Sequence, residues 1–258
     1  SMVAAAGVPA QVGLVLRFTP AFLAVRDLVA GGELGAAMAV VFRDDQFFPI
    51  KGHYASTWRG DPSIAGGGCL IEHSIHDLDI LRFCVGEVSD LSARTESLFG
   101  QTGIEDVAAV SLRHAGGATS QLTSVWHDIM TRGSTRRVEG FFQRGLVWFD
   151  DDFVGPLHVE TSEGAELRAC AMPAWVGDLR FGADVPLALR MYAEEDRAFL
   201  DAVAGGRAAQ PDFAEALIAH RLVDAAYRSA AAGGQPTSCA VPPASAGAEP
   251  GRRGGAPL

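Results

Sequence analysis

The sequence predicts an α+β domain, an open, predominantly antiparallel β-sheet with helices packed on one face. Three observations carry that expectation. From about Val88 to Ala171 the chain reads as short strands joined by turns, and consecutive hairpins favour antiparallel pairing. On either side of that run, apolar residues recur at helical spacing. A parallel nucleotide-binding βαβ unit needs about 30 residues and a G-x-G-x-x-G turn. The run Gly66-Gly67-Gly68 does not supply that turn, because Ile71 stands at its third glycine position.

The elements follow in order. Residues 1–12 read as the remnant of a preceding helix or linker with a turn at Gly7–Pro9, and Gln11 to Leu16 as a short buried strand. Thr19-Pro20 reads as an N-cap followed by proline in the first turn, opening a helix through Ala30 that Gly31-Gly32 ends. Ala36 to Phe42 alternates as a strand. Asp44 to Ile64 reads as a long loop carrying Phe47, Phe48, Tyr54, Trp58 and Arg59. Such loops either line ligand sites or are pinned to the core by their aromatics. A helix is expected over 70–84, with Leu70, Ile71, Ile75, Leu78 and Leu81 as its buried stripe. Strands are expected near Val88–Leu98, Asp106–Leu112, Thr119–Trp126, Arg136–Phe142, Gly145–Phe149, Pro156–Glu160 and Leu167–Ala171, with a hairpin turn at His114-Ala115-Gly116-Gly117. Two amphipathic helices, Asp184 to Gly205 and Phe213 to Ala232, close a domain spanning 13–232. Residues 233–258, rich in Ala, Gly, Pro and Ser, bury too little apolar area to order themselves and are expected to be a disordered tail.

Composition excludes several classes. A chain of 258 residues, 48% hydrophobic and 20% charged, has ample material for a core. A net charge of −10 argues against nucleic acid or an anionic membrane as partner. No apolar run approaches the roughly 20 residues of a membrane span, and the start has no basic segment of a signal peptide. Cys69, Cys84, Cys170 and Cys239 lack C-x-x-C spacing, so reduced thiols and a cytoplasmic location are expected.

The chemistry concentrates in Gly66-Gly67-Gly68-Cys69-Leu70-Ile71-Glu72-His73-Ser74-Ile75-His76-Asp77-Leu78-Asp79. On one continuous helix, Glu72 and His76 are four apart and His76 and Asp79 three apart, which places them on neighbouring faces. A carboxylate beside an imidazole fixes its tautomer and suits proton transfer near neutral pH. The small glycines allow a substrate or a neighbouring backbone to approach closely. A zinc reading of Glu72, His73, His76 and Asp79 is set aside, because one helix rarely presents the three or four ligands zinc needs. His127, at the end of a strand, is weakly expected to face a cleft.

This stretch resembles the G-G-x-L-x-D-x-G-x-H-x-x-D signature of the Gfo/Idh/MocA oxidoreductases. Glu72 stands where that family usually has Asp, and Ser74 where it often has Gly. Three other segments resemble the family in the same order. Gly13 to Pro20 is similar to its G-x-x-x-R-F-x-P domain junction, Glu105-Asp106 through Gly117 to its E-D hairpin, and Arg136-Arg137-Val138-Glu139-Gly140 with Gly145 to the next hairpin. The resemblance covers roughly residues 11–232 and corresponds to the substrate domain that follows a nucleotide-binding Rossmann domain in those proteins. The family's E-K-P motif, with its catalytic lysine, has no counterpart here, since Lys51 is the one lysine and lies well inside the domain.

The resemblance implies the substrate-binding and catalytic half of an NAD(P)-dependent oxidoreductase acting on a sugar, polyol or related hydroxylated small molecule. It implies His76 as the base, with Glu72 orienting it. Arg17, Tyr54, Trp58, Arg59, His73 and Asp79 are the expected substrate-binding residues. For Arg17, holding a substrate oxygen and pinning the domain junction stand as equal alternatives. NAD or NADP is implied by the family, with no cofactor-binding residue expected in this chain and no turnover expected from it alone. A homo-oligomer through the open sheet face and a separate or upstream Rossmann domain are the implied partners. Two other readings stand beside this one: a non-catalytic sugar-binding or assembly protein, towards which the Asp-to-Glu change at position 72 leans, and a domain excised from, or mis-started within, a longer enzyme.

Overall fold

The computed structural model describes residues 2–239 apart from 53, 172 and 176–190. Its centre is an eleven-residue strand, β1 (Ala37–Phe47), flanked on both sides. After it come β2 (Val88–Glu96), β3 (Val107–His114), β4 (Thr119–His127), β5 (Thr135–Phe142), β6 (Gly145–Phe149), β7 (Leu157–Thr161), β8 (Gly164–Arg168) and β9 (Thr237–Ser238). They form one open sheet in the order β8-β7-β6-β5-β1-β4-β3-β2-β9. Only β1 with β4 is parallel among the described pairings, so the sheet is mixed but predominantly antiparallel.

Burial alternates along the strands. In β3, Ala108, Val110 and Leu112 face the core, while Ala109, Ser111 and Arg113 face outward. The inner face is covered by α2 (Pro20–Gly31), α5 (Ile75–Val85) and α7 (Phe213–Ala231). Phe22 of α2 packs on Phe42 of β1 and meets Phe149 of β6 edge-on, with ring centroids 6.1 and 5.2 Å away. The outer face leaves Met38, Val41 and Phe141 exposed. The other helices are α1 (Met2–Ala6), α3 (Pro62–Ala65), α4 (Cys69–Glu72) and α6 (Tyr192–Ala204), with 3-10 turns at Val15–Phe18 and Thr57–Gly60. No helix among the described residues is long and apolar enough to cross a membrane.

Several expectations are corrected. The strand read as ending at Phe42 continues to Phe47, so Asp44 and Asp45 are sheet residues with buried side chains and not part of a loop. The pairing of Asp44 with Arg136 across β1 and β5 compensates their charge, which sequence pattern alone does not register. Gln11 to Leu16 forms no strand, and Val15–Phe18 is a 3-10 turn. Thr19 donates its hydroxyl to Leu16 O at 3.0 Å, closing that turn instead of capping α2. The helix expected over 70–84 is two helices, broken at His73–Ser74. The strand expected over Leu167–Ala171 lies at 164–168, and the segment 184–190 of the expected closing helix lies outside the described residues. Thr237–Ser238 of the expected tail pairs with β2, while 240–258 lie outside the described residues.

The glycine run serves packing. Gly68 passes so close to the Glu105 backbone that a Cβ there would collide with its carbonyl oxygen, and one on Gly67 would collide with the Tyr227 hydroxyl. The buried Glu105 carboxylate accepts Gly68 N–H at 2.8 Å and Leu70 N–H at 2.9 Å, satisfying the first amides of α4, and accepts the Tyr227 hydroxyl at 2.9 Å. Of the two approaches the glycines allow, a neighbouring backbone makes the one at Gly68. Gly68→Ala is expected to lower stability by about 3 kcal/mol or more, because neither backbone has room to yield, whereas Gly66→Ala, in open space, is expected to show only the smaller strain of a positive φ. Urea unfolding midpoints of the two variants check this ordering.

Candidate active site

The site lies where β1 and β4 end and the break between α4 and α5 crosses them. A cleft of about 140 Å³ is lined by Gln46, Phe47, Pro49, Tyr54, Arg59, Glu72, His73 and Trp126. Four of the expected residues, Tyr54, Arg59, Glu72 and His73, therefore meet in one place. Trp58 does not line the cleft. It is half exposed, and the Arg59 guanidinium sits over its ring, 4.5 Å from the centroid.

The others go elsewhere. Arg17 makes a two-pronged pair with Asp79, 2.7 and 2.6 Å, and a third bond to Glu215 at 2.9 Å. Both members are nearly buried, and Arg17 lines a different groove, of about 320 Å³, with Phe18 and Phe83. This pair ties the 3-10 turn to α5 and α7, the pinning alternative for Arg17. Burial alone would lower the Arg17 pKa, but the two carboxylates outweigh it and raise it. His127 turns to Asp45, 3.5 Å from its carboxylate.

The partnership of Glu72 with His76 is overturned. The break at His73–Ser74 ends the four-residue spacing on which it depended, and Glu72 instead accepts Arg59 Nε at 2.5 Å. Arg59 also donates to Ser56 Oγ at 2.9 Å, so this pair fastens the 57–60 turn to α4. The extra methylene of glutamate, relative to aspartate, gives the reach. His76 Nδ1 is buried without a hydrogen-bond partner among the described residues, and His76 is not in the cleft lining.

Sequence reasoning missed the groups that organise the site: Asp44, Asp77, Asp152 and Arg136. Arg136 is buried on β5. It donates from Nε to Asp77 Oδ1 at 2.7 Å and from Nη1 to Asp152 Oδ2 at 2.7 Å, and Nε lies 3.7 Å from Asp44 Oδ1. Its Nη2 is 3.0 Å from Nδ1 and 3.3 Å from Nε2 of His73. A position in the ring plane that close to both nitrogens would collide with the carbon between them, so the guanidinium lies over the ring face. Asp44, fully buried, lies with Oδ2 2.7 Å from His73 Nδ1 and accepts Gln46 Nε2–H at 2.7 Å. The available signals were an Asp-Asp pair following a strand pattern and an Arg-Arg pair opening another, which register brings opposite each other.

The donor atoms of Asp44, His73 and Asp77 converge within 4.8 Å of one another, the kind of set that holds a metal ion. The positive charge they converge on here is the Arg136 guanidinium. Burial, followed by the Arg136 charge, lowers the pKa of His73 to about 4, and the same causes lower His76 to about 4. Burial, followed by the nearby Asp44 carboxylate, raises Asp77 to about 6. At neutral pH both imidazoles are neutral. The space beside Gly67 and Gly68 is taken by Tyr227 and Glu105, so those two glycines form no cradle for a phosphate.

Against this geometry, residues 22–146 match the model of the GFO/IDH/MocA C-terminal domain. Residues 22–146 are thus a domain of the GFO/IDH/MocA C-terminal type. It is 25% identical over 231 residues to inositol 2-dehydrogenase of Rhizobium meliloti, covering 86% of this chain and 62% of that protein. It is 32% identical over 117 residues to D-apiose dehydrogenase of Rhizobium rhizogenes, covering 45% of this chain and 32% of that one. The chain thus spans about half the length of the curated relatives it matches. Levoglucosan dehydrogenase, solved in complex with NADH, shares the fold with a TM-score of 0.75 at 20% identity, over 90% of this chain and 66% of that chain. These relatives are dehydrogenases of sugars and polyols, and the family is one of sugar oxidoreductases.

Two predictions follow from the buried cluster. Arg136→Met leaves Asp44 and Asp77 buried without their counter-charge and is expected to cost about 3–5 kcal/mol in urea unfolding. The second concerns pH. His73 and His76, depressed from 6.5 to about 4, give stability that is complete above 6.5 and lost as pH falls towards 4. Asp77, raised from 3.8 to about 6, contributes in the opposite sense, its share being complete below 3.8 and lost as pH rises through 6. Glu195, raised from 4.5 to about 7 chiefly by burial, acts in the same sense as Asp77, so the His73 share is read as a difference: as pH falls from 6.5 to 4, His73→Gln is expected to gain stability relative to wild type, in paired thermal melts across the interval.

Proposed function

We propose that this chain is the substrate-binding part of an NAD(P)-dependent oxidoreductase acting on a sugar, polyol or related hydroxylated small molecule. The observation that carries this reading is the small polar cleft that brings Tyr54, Arg59, Glu72, His73 and Gln46 together in a domain of this family. A tyrosine hydroxyl, a guanidinium, a carboxylate and a neutral imidazole offer donors and acceptors in alternation, which suits a ligand whose every hydroxyl is both. The lining itself is balanced, because Glu72 neutralises Arg59 and the remaining lining residues carry no formal charge at neutral pH. Such a lining favours an uncharged ligand.

The nicotinamide cofactor belongs to the same proposal and is held by residues other than those of the glycine run. A cytoplasmic location, and an oligomer formed through the sheet face that carries Met38, Val41 and Phe141, also belong to it. His76 stands in this reading as the reacting base by its place in the family signature. The pairing of Glu72 with Arg59, which leaves His76 without a carboxylate in hydrogen-bond contact, favours a second reading: a domain that binds a sugar-like ligand without turning it over.

Calorimetry separates these. The purified chain is expected to bind at least one of myo-inositol, D-apiose and levoglucosan at millimolar concentration, and Arg59→Ala to weaken that binding by about tenfold. NAD⁺ and NADP⁺, titrated separately, are expected to give no binding. Clear cofactor binding would sink the expectation that this chain lacks a nucleotide site, and absence of binding to all three sugars would sink the function itself.

A further inference from the structure

His73, a residue outside the family signature, has surroundings built to present one ring nitrogen. Its Nδ1 meets Asp44 Oδ2 at 2.7 Å. An ionised carboxylate accepts only, so Nδ1 carries the hydrogen and Nε2 keeps the lone pair. Arg136 covers the ring face, and a guanidinium there opposes a second proton. The charged and titratable groups around the ring are Asp44 on β1, Arg136 on β5, Glu72 on α4, His76 and Asp77 on α5, and Asp152 after β6. Of the carboxylates, Glu72 is engaged by Arg59, and Asp77 and Asp152 by Arg136. Asp44 is therefore the one that orients the imidazole. His73 keeps a quarter of its side-chain surface exposed and lines the cleft, whereas His76 Nδ1 is buried without a hydrogen-bond partner among the described residues.

We propose that His73 is the hydroxyl-recognition residue of this cleft: its Nε2 accepts a hydrogen bond from a hydroxyl of a neutral sugar or polyol, with Asp44 and Arg136 as positioning residues. The inference rests on the sugar-binding reading above and deepens it. A lone-pair acceptor at this point selects a ligand group that carries a hydrogen. A hydroxyl satisfies it, whereas a ligand carboxylate would set acceptor against acceptor, so sugar acids are disfavoured relative to the neutral sugars. The helix break at His73–Ser74 is what brings this ring to Asp44, and Ser74, also buried, lies with its hydroxyl 3.4 Å from the same carboxylate.

The test combines nitrogen-15 imidazole spectra of the chain with calorimetry of wild type, His73→Leu and His73→Gln against myo-inositol, D-apiose and levoglucosan. Expected are a neutral Nδ1–H tautomer for His73 at about pH 7, and a shift of its Nε2 resonance when the bound sugar is added. Binding is expected to weaken by about tenfold or more in His73→Leu and to recover in part in His73→Gln, whose amide oxygen replaces the acceptor. An Nε2–H tautomer, a ring protonated at neutral pH, or wild-type affinity in His73→Leu overturns the proposal while the sugar-binding reading stands. If the wild-type chain binds none of the three probes, both fall, and that failure is distinguished by appearing in the wild type. Should thermal melts reveal either variant unfolded, the wild-type spectra decide: an Nε2 resonance unmoved by a bound sugar overturns the proposal.

Discussion

A single buried guanidinium holds the functional end of this domain together. Arg136 reaches from β5 to Asp77 on α5 and Asp152 beyond β6, lies beside Asp44 on β1 and covers His73 at the helix break. Isolated, each of those carboxylates would be costly to bury, and so would the cation. Together they form a cluster in which three carboxylates share one guanidinium. Asp77 Oδ2 is left without a hydrogen bond among the described residues, and burial, followed by the Asp44 charge, raises the Asp77 pKa. The cluster therefore specifies geometry more than it adds stability. Its position, at the junction of sheet and helices, fixes where the cleft lies and which way His73 faces.

Two further ion pairs divide the remaining charged residues by role. Arg59 with Glu72 fastens the aromatic segment after β1 onto α4 and closes one side of the cleft. Arg17 with Asp79 and Glu215 ties the entry of the domain to α5 and α7, away from the cleft. The glycine run belongs to neither. It lets α4 approach the Glu105 backbone, just before β3, closely enough for the Glu105 carboxylate to satisfy the amides at the helix start. A motif that reads as chemistry in one dimension is here largely a packing device, and its chemistry lies in the residues it delivers to the sheet.

Much of the architecture was legible. Alternating burial in β3, β4 and β5, the turn at His114–Gly117 and the start of α7 at Phe213 follow from local patterns that tertiary contacts reinforce. Less was legible where local and tertiary demands differ. A continuous helix from 70 to 84 satisfies apolar spacing, yet His73 and Ser74 leave it to meet Asp44, an interaction between residues 29 and 30 positions apart. Likewise Asp44 and Asp45 look like the start of a loop because their compensating arginines, Arg136 and Arg132, lie about 90 residues downstream. Of the expected site, Tyr54, Arg59, Glu72 and His73 share the cleft, while Arg17 and Asp79 pair with each other elsewhere.

By itself the sequence determined the fold class, the order of the elements, the family signature and the segment in which the chemistry is concentrated. These depend on hydrophobic period, turn residues and fixed spacings, all of which are local properties of the chain. Only the tertiary structure decided which carboxylate meets which imidazole. That choice turns on strand register and on where a helix breaks, and a shift of one residue in either exchanges the partners. Glu72 thus leaves His76 for Arg59, and His73 gains Asp44, because the β1–β5 register sets a buried aspartate opposite a buried arginine and the helix has to open to reach them.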